Sequence, residues 1–224
     1  MTKVTSGSAR AALLAEDSVR RFIRIAALGL TLGGLSSAGE GPPALDTFTS
    51  PDGSFQFVYP ESYALLVGDS MLRATQGRHA AIPVCNFATA VACVIYPIER
   101  EWETRLEAAG FSVDTLNAAN ESECMAFADE TARARGTVAT TSVTLHSRLF
   151  RRAVATRKLL GHSQAAEFYR TFRQQKCYEL QVAVSTTDEQ VSRKAPAGSL
   201  GDPRADNARE SLRLILSSTI FEKE

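Results

Sequence analysis

Two hairpins, a few scattered helices and no repeated strand–helix alternation predict an α+β fold: a mainly antiparallel sheet flanked by a few helices. The hairpins span residues 46–59 and 167–186, and the clearest helical patterns span 99–109 and 208–217. The chain has no internal repeat and no low-complexity tract.

The N-terminus comes first. Arg20, Arg21 and Arg24 precede an uncharged, mostly apolar run, Ile25 to Leu35, followed by Ser36-Ser37-Ala38-Gly39. A positive flank, a short apolar segment and small residues at −3 and −1 make the pattern of a secretory signal peptide over residues 1–38. The run is shorter than the roughly 20 apolar residues a membrane span needs. Residues 1–38 hold Lys3, Arg10, Arg20, Arg21 and Arg24 against Glu16 and Asp17, so removing them from 25 basic and 25 acidic residues leaves a net charge of −3. A mildly acidic remainder lacks the basic surface that nucleic acids and anionic membranes require, so no nucleic-acid partner is expected. No later segment is apolar enough to span a membrane, so no stable span is expected after cleavage. The expected location is the periplasm or the extracellular space.

Gly39 to Leu45 (GEGPPAL) reads as a linker, and residues 46–224 as one α+β domain. Pro51-Asp52-Gly53 supplies a turn, because Pro presets φ and Gly tolerates a positive one. Phe55, Phe57 and Tyr59 alternate with Ser54, Gln56 and Val58, the period of a half-buried strand, and Pro60 stops it. Residues 63–75 are ambiguous. Val91 to Tyr96 is β-branched and ends at Pro97, which reads as a strand. Glu99 to Ala109 reads as a helix: Trp102, Leu106 and Ala109 share one face, Glu101 and Arg105 form an i,i+4 pair, and Gly110 offers a cap. Phe111 to Leu116 reads as a strand and Glu121 to Asp129 has only a weak pattern. Thr140 to Thr156 alternates in two stretches, as two strands or one bent one. Glu167 to Arg173 and Cys177 to Thr186 form the second hairpin, with Tyr178, Leu180, Val182 and Val184 on one face. Ser185 to Asp206 is polar and reads as a loop. In the closing helix, Leu212, Ile215 and Leu216 share a face, with Asp206 or Asn207 as N-cap.

Cys85, Cys93, Cys124 and Cys177 follow the leader, and an even number in an exported chain reads first as two disulfides. Three pairings are open. Cys85–Cys93, closing a short loop, with Cys124–Cys177, tying mid-chain to late chain, is favoured; the loop-entropy argument gives these about 2.5 and about 4 kcal/mol. Free buried thiols, and metal or redox chemistry, are the rival readings. No CxxC occurs, and His79, His146 and His162 supply the only imidazoles, so the spacing of a structural zinc site is missing.

The stretch Phe48-Thr-Ser-Pro-Asp-Gly-Ser-Phe-Gln-Phe-Val-Tyr-Pro60 resembles the opening hairpin of PsbP-like domains. The strands around Tyr169 and Tyr178, and the C-terminal helix ending in Ser217-Ser-Thr-Ile-Phe221, agree with it in outline. The resemblance implies an α/β/α sandwich over residues 46–224 and a non-enzymatic binding or assembly-support role. It carries over no functional residue.

Gly161-His162-Ser163-Gln164-Ala165 looks like a nucleophile elbow, but that chemistry needs a histidine after the serine, and none follows Ser163. No phosphate-binding loop, dinucleotide fingerprint, zinc-protease or calcium-loop motif is present, so no catalytic residue, metal ligand or cofactor is assigned. Glu99, Glu101, Glu103 and Glu107 read as a solvated face. Arg148, Arg151 and Arg152, with Arg157 and Lys158 beyond them, form a basic cluster that could hold an anion, or that simply blunts an exposed strand. The expected function is an exported binding or assembly-support module whose partner, a protein or a small ligand, is unidentified. Two alternatives are an extracytoplasmic hydrolase with carboxylate or His146 chemistry and a polyanion-binding surface protein.

Overall fold

A computed structural model of the chain describes residues 43–71, 83–86, 88–98, 105–127, 139–187 and 202–222. The chain divides into two units, Met1–Gly41 and Pro42–Glu224, and every described residue belongs to the second. Among them, ten strands form two sheets. β1 (Leu45–Thr49), β2 (Phe55–Pro60) and β10 (Ile220–Phe221) make a three-stranded sheet in the order β1-β2-β10. β3 (Ala64–Leu66), β4 (Ala90–Ile95), β5 (Leu106–Leu116), β6 (Ala139–Leu145), β7 (Arg148–Leu159), β8 (His162–Arg173) and β9 (Lys176–Thr187) make the large one, in the order β3-β4-β5-β9-β8-β7-β6. Every pairing between the strands is antiparallel, as the two hairpins predict.

The large sheet is covered on both faces. On one lie α2 (Pro203–Ser218) and the small sheet. Ala205, Ala208, Leu212, Ile215 and Leu216 are the buried stripe of α2, and they meet Phe111, Val113, Leu180 and Val182 of the sheet. Full burial of a leucine such as Leu212 contributes about 1.5–3 kcal/mol. Phe57 stacks edge-on against Phe111 at 5.3 Å, joining the two sheets. The Ser218 hydroxyl accepts from Val58 N at 2.9 Å, which fastens the end of α2 to β2.

On the other face lie a strap, Pro83–Asn86, and the one-turn helix α1 (Glu121–Cys124). Gln164 donates to the Pro83 carbonyl at 2.8 Å and Gln181 to that of Val84 at 3.4 Å, so the sheet itself satisfies the strap's backbone. Cys85 pairs with Cys93 of β4, and Cys124 of α1 pairs with Cys177 of β9. Arg170 donates to Glu179 at 2.6 Å and lies 4.3 Å from the Phe127 ring centroid, so this buried charge is both paired and stacked.

Three sequence expectations are corrected. Residues 106–109 lie in β5, so the helix expected over 99–109 does not include them; Glu99 to Thr104, with Trp102 and three of the glutamates, lie outside the described residues. The helical spacing there is overridden by pairing with β4 and β9. Gly110 is mid-strand rather than a cap. A Cβ there would come within 2.8 Å of Val84 Cγ2, so glycine is what lets the strap pass this close to the sheet. Finally, α2 begins at Pro203, capped by Asp202, whose carboxylate accepts from Arg204 N at 3.0 Å; the helix starts earlier than Asp206 because proline suits its first turn. The ambiguity over 140–156 resolves into two strands joined by His146 and Ser147, both at positive φ.

Candidate functional site

The turns of the two hairpins meet at one end of the sandwich. In the β1–β2 turn, the Asp52 carboxylate accepts from the Ser50 hydroxyl at 2.9 Å, from Ser54 N at 3.1 Å and from the Ser54 hydroxyl at 2.7 Å. Gly53 takes φ +69°, which the turn requires. In the β8–β9 turn, Gln174 and Gln175 both take positive φ, the geometry of a tight two-residue hairpin without the usual glycine. That turn delivers Lys176 and Tyr178 to one face of β9 and Cys177 to the other. Lys176 Nζ then reaches the other Asp52 oxygen at 3.0 Å, linking the two hairpins across 124 positions of sequence.

Donors therefore surround Asp52. The Ser54 hydroxyl, Lys176, Ser54 N and the Ser50 hydroxyl hold its carboxyl well below the usual carboxylate range, against a small opposing effect of burial. The same bond raises Lys176. A saturated carboxylate of this kind is a poor proton acceptor and a good fixed charge.

Two cavities open beside this pair. One, about 250 Å³, is lined by Pro51, Asp52, Ser54, Phe55, Val91, Thr115 and Tyr178. The other, about 540 Å³, is lined by residues 115–119, Glu123, Gln175 and Lys176. Thr115 lines both. Tyr178 is 2% exposed and packs edge-on against Phe55 and Phe221, at 6.2 and 5.2 Å. Its hydroxyl has no hydrogen-bond partner among the described residues. A buried hydroxyl left unpaired costs about 1–3 kcal/mol, so its placement beside a cavity calls for a ligand or water to satisfy it. The wall of the larger cavity is rigid: Asn120 caps α1 by accepting from Glu123 N, Glu123 accepts from Ala119 N at 2.8 Å, and the Cys124–Cys177 bond anchors α1 to the strand carrying Lys176.

A second charged group sits between α2 and the sheet. Glu167 accepts from the Tyr169 hydroxyl, Arg152 and Arg213. Burial opposes its ionisation, but these three donors win and hold its carboxyl below the ordinary value, while burial and the Glu167 bond push the Tyr169 phenol up to about 12. Every carboxylate oxygen here is taken, so the group acts as a clamp on α2.

The basic cluster read from the sequence does not converge. Arg148 donates to the Glu222 carbonyl at 3.1 Å, Arg151 to the Thr140 hydroxyl at 2.7 Å and Arg152 to Glu167 at 3.0 Å. Arg148 and Arg152 lie on one face of β7 and Arg151 on the other. His146, exposed in the β6–β7 turn, contacts the Ser217 carbonyl through Nε2. His162 lies 2.8 Å from Glu107, and Ser163 sits inside β8 rather than at a strand-to-helix elbow. His79 lies outside the described residues. No group of three metal-ligating side chains occurs among the described residues. Asp52, Thr115, Lys176 and Tyr178 were not singled out as site residues from the sequence. The signal available was that two hairpin turns carry a carboxylate and an ammonium.

No protein-family model matches the sequence, and no curated protein matches it. Solved structures do. The chain is similar to cyanobacterial PsbP from Synechocystis (12% identity over 85% of this chain and 99% of that one, TM-score 0.42). It is similar to the Ran-binding protein Mog1p of Saccharomyces cerevisiae (11%, 80% and 96%, TM-score 0.44). It is also similar to LpqN of Mycobacterium tuberculosis, described as involved in cell envelope biogenesis (9%, 83% and 88%, TM-score 0.44). At these identities the likeness concerns the fold alone.

Proposed function

We propose that the chain is an exported, non-catalytic binding module that holds its ligand at the hairpin end of the sandwich. Residues 1–38 are the signal peptide, 39–45 the linker and 46–224 the working domain. The observation that carries the reading is the buried Tyr178 hydroxyl, unpartnered among the described residues, beside an apolar cavity lined also by Asp52, whose partner Lys176 lines the adjoining larger cavity. Phe55 and Val91 offer apolar contact and Tyr178 one hydroxyl, while Lys176, on the wall of the adjoining larger cavity, has two donors beyond the one given to Asp52. This inventory suits a small molecule, or a partner's side chain, with an apolar body and one hydrogen-bonding end. Two disulfides and the secretory pattern of residues 20–38 support an oxidising location.

Thermal unfolding in the presence of a library of small neutral aromatic and aliphatic alcohols and amides tests the site. Compounds that raise the midpoint of the parent protein are expected to lose that effect in Tyr178→Phe and to keep it in Thr156→Ser, on a strand away from the cavity. At a concentration of 100 Kd the stabilisation is about 2.7 kcal/mol. Stabilisation that survives Tyr178→Phe and Lys176→Met places binding elsewhere. Turnover of a defined substrate, abolished by one side-chain change, overturns the non-catalytic reading.

A further inference from the structure

Strand β6 ends the seven-stranded sheet, as ordered among the described residues, and its composition differs from that of the other edges. Soluble proteins blunt exposed edges with charge, proline, bulges or shortness. β3, at the opposite edge, is three residues long; β10 is two; β1 carries the exposed Asp46. β6 runs seven residues, Ala-Thr-Thr-Ser-Val-Thr-Leu, with no charge and no proline. It pairs with β7 without a register shift from Ala139↔Val154 to Leu145↔Arg148. Thr141, Ser142 and Thr144 are exposed, while Val143 and Leu145 pack against the core on the α2 side. It is therefore a long, regular, uncharged edge whose outer row of backbone groups pairs with no other strand among the described residues.

We infer that β6 is an assembly edge, and that its occupant is β6 of a second copy, antiparallel about a two-fold axis at Ser142. Three features select a second copy over another extended partner. First, the strand has no charge by which to choose or steer a different chain. Second, an isologous contact must be self-complementary, and this one is. With Ser142 opposite Ser142 of the other copy, Thr140 meets Thr144 and Thr141 meets Val143, so hydroxyls face hydroxyls on one face of the sheet and β-branched residues pair on the other. Third, this register sets even positions opposite even ones, so each face of the sheet continues into the same face of the second copy. Val143 and Leu145 of one copy then extend the α2-side layer of the other. The product is one fourteen-strand sheet with both hairpin-end cavities left open. The inference is independent of the ligand reading, because no residue lining either cavity belongs to β6.

Sedimentation velocity on the mature chain from about 1 to about 100 μM, the span in which interfaces of modest size assemble, is expected to show a monomer converting to a dimer. Ser142→Lys sets two ammonium groups opposite each other at the axis and is expected to raise the dimer dissociation constant at least about tenfold. Ser142→Cys provides a check that does not depend on a charge being tolerated. Opposed positions across an antiparallel pair stand about 4.5–5.5 Å apart, within disulfide reach, so mild oxidation is expected to give a covalent dimer, whereas Thr156→Cys on β7 gives none. A monomer throughout the range, a dimer unaffected by Ser142→Lys, or no crosslink through Ser142→Cys would each overturn the inference.

Discussion

On the α2 side of the large sheet, β5 and β9 present Phe111, Val113, Leu180 and Val182; on the other side the same strands present Ser112, Asp114, Glu179 and Gln181. All eight residues are buried. The first face is closed by apolar side chains from a sixteen-residue helix and a second sheet. The second is closed by a strap and a one-turn helix, each fixed by a disulfide and by hydrogen bonds to its carbonyls. Burial of large apolar groups suffices to hold a helix on a sheet. The strap face has a smaller apolar cluster, in which Val84 and Phe127 join Ile95, Phe168 and several alanines, and covalent and polar links add to it. The two faces should therefore fail under different conditions.

The largest expected effect is on the strap face. Replacing both Cys124 and Cys177 by Ala should cost about 4 kcal/mol, and replacing Cys85 and Cys93 about 2.5 kcal/mol, because the first loop is longer. Urea unfolding measures both. Equal losses would mean that loop closure does not govern this face. Next comes Leu212→Ala on α2, expected to cost about 3 kcal/mol through the cavity it leaves. Its cost should be the same with and without reductant, since no disulfide touches α2. A reductant-dependent cost would show that the two faces are coupled through the sheet.

A smaller effect separates polar from covalent support within the strap face. Gln164 is 1% exposed and donates to both the Pro83 carbonyl and Ser185. Gln164→Leu keeps the bulk and removes the donor, and should cost about 1–2 kcal/mol while leaving the Cys85–Cys93 bond intact. Hydrogen exchange should show faster opening at residues 83–86 and no change in α2. Uniform acceleration over both faces would argue that the strap is not a separate unit.

These contrasts also explain what could be read in advance. Alternation at Phe55, Phe57 and Tyr59, and at Tyr178, Leu180, Val182 and Val184, marked both hairpins and the apolar face, because period-two burial is a local signal. The cysteine pairing seen here was the favoured one of three. The strap face was opaque. Leu106 and Ala109 fit helical spacing as well as they fit a strand, and Gly110 suits a helix cap as well as it suits the close packing of Val84 on β5. Asp52 and Lys176 each lay in a recognised turn, yet their meeting depends on how two hairpins 124 positions apart stack, which no local pattern encodes. The basic cluster of Arg148, Arg151 and Arg152 misled for the converse reason: nearness in sequence along a strand sends alternate side chains to opposite faces.

That hairpin junction supports the smallest prediction, and its sign follows from the charge. Asp52 has its carboxyl lowered from 3.8 by Ser54, Lys176 and Ser50, so its contribution is fully present above the unfolded value and is lost as pH falls through the lower folded one. Half of the Asp52 and Lys176 side-chain surface remains exposed, so solvent screening keeps the pair's contribution small. Asp52→Asn should therefore lower the unfolding midpoint slightly at pH 7, and the gap from the parent should close as pH drops below 3.8. Added salt should narrow the gap at pH 7 as well, because an exposed pair is screened. The buried Glu167 clamp on the α2 side titrates in the same direction but is sheltered from salt. If Glu167→Gln and Asp52→Asn showed equal salt dependence, the junction would be buried like the clamp rather than open like a binding rim.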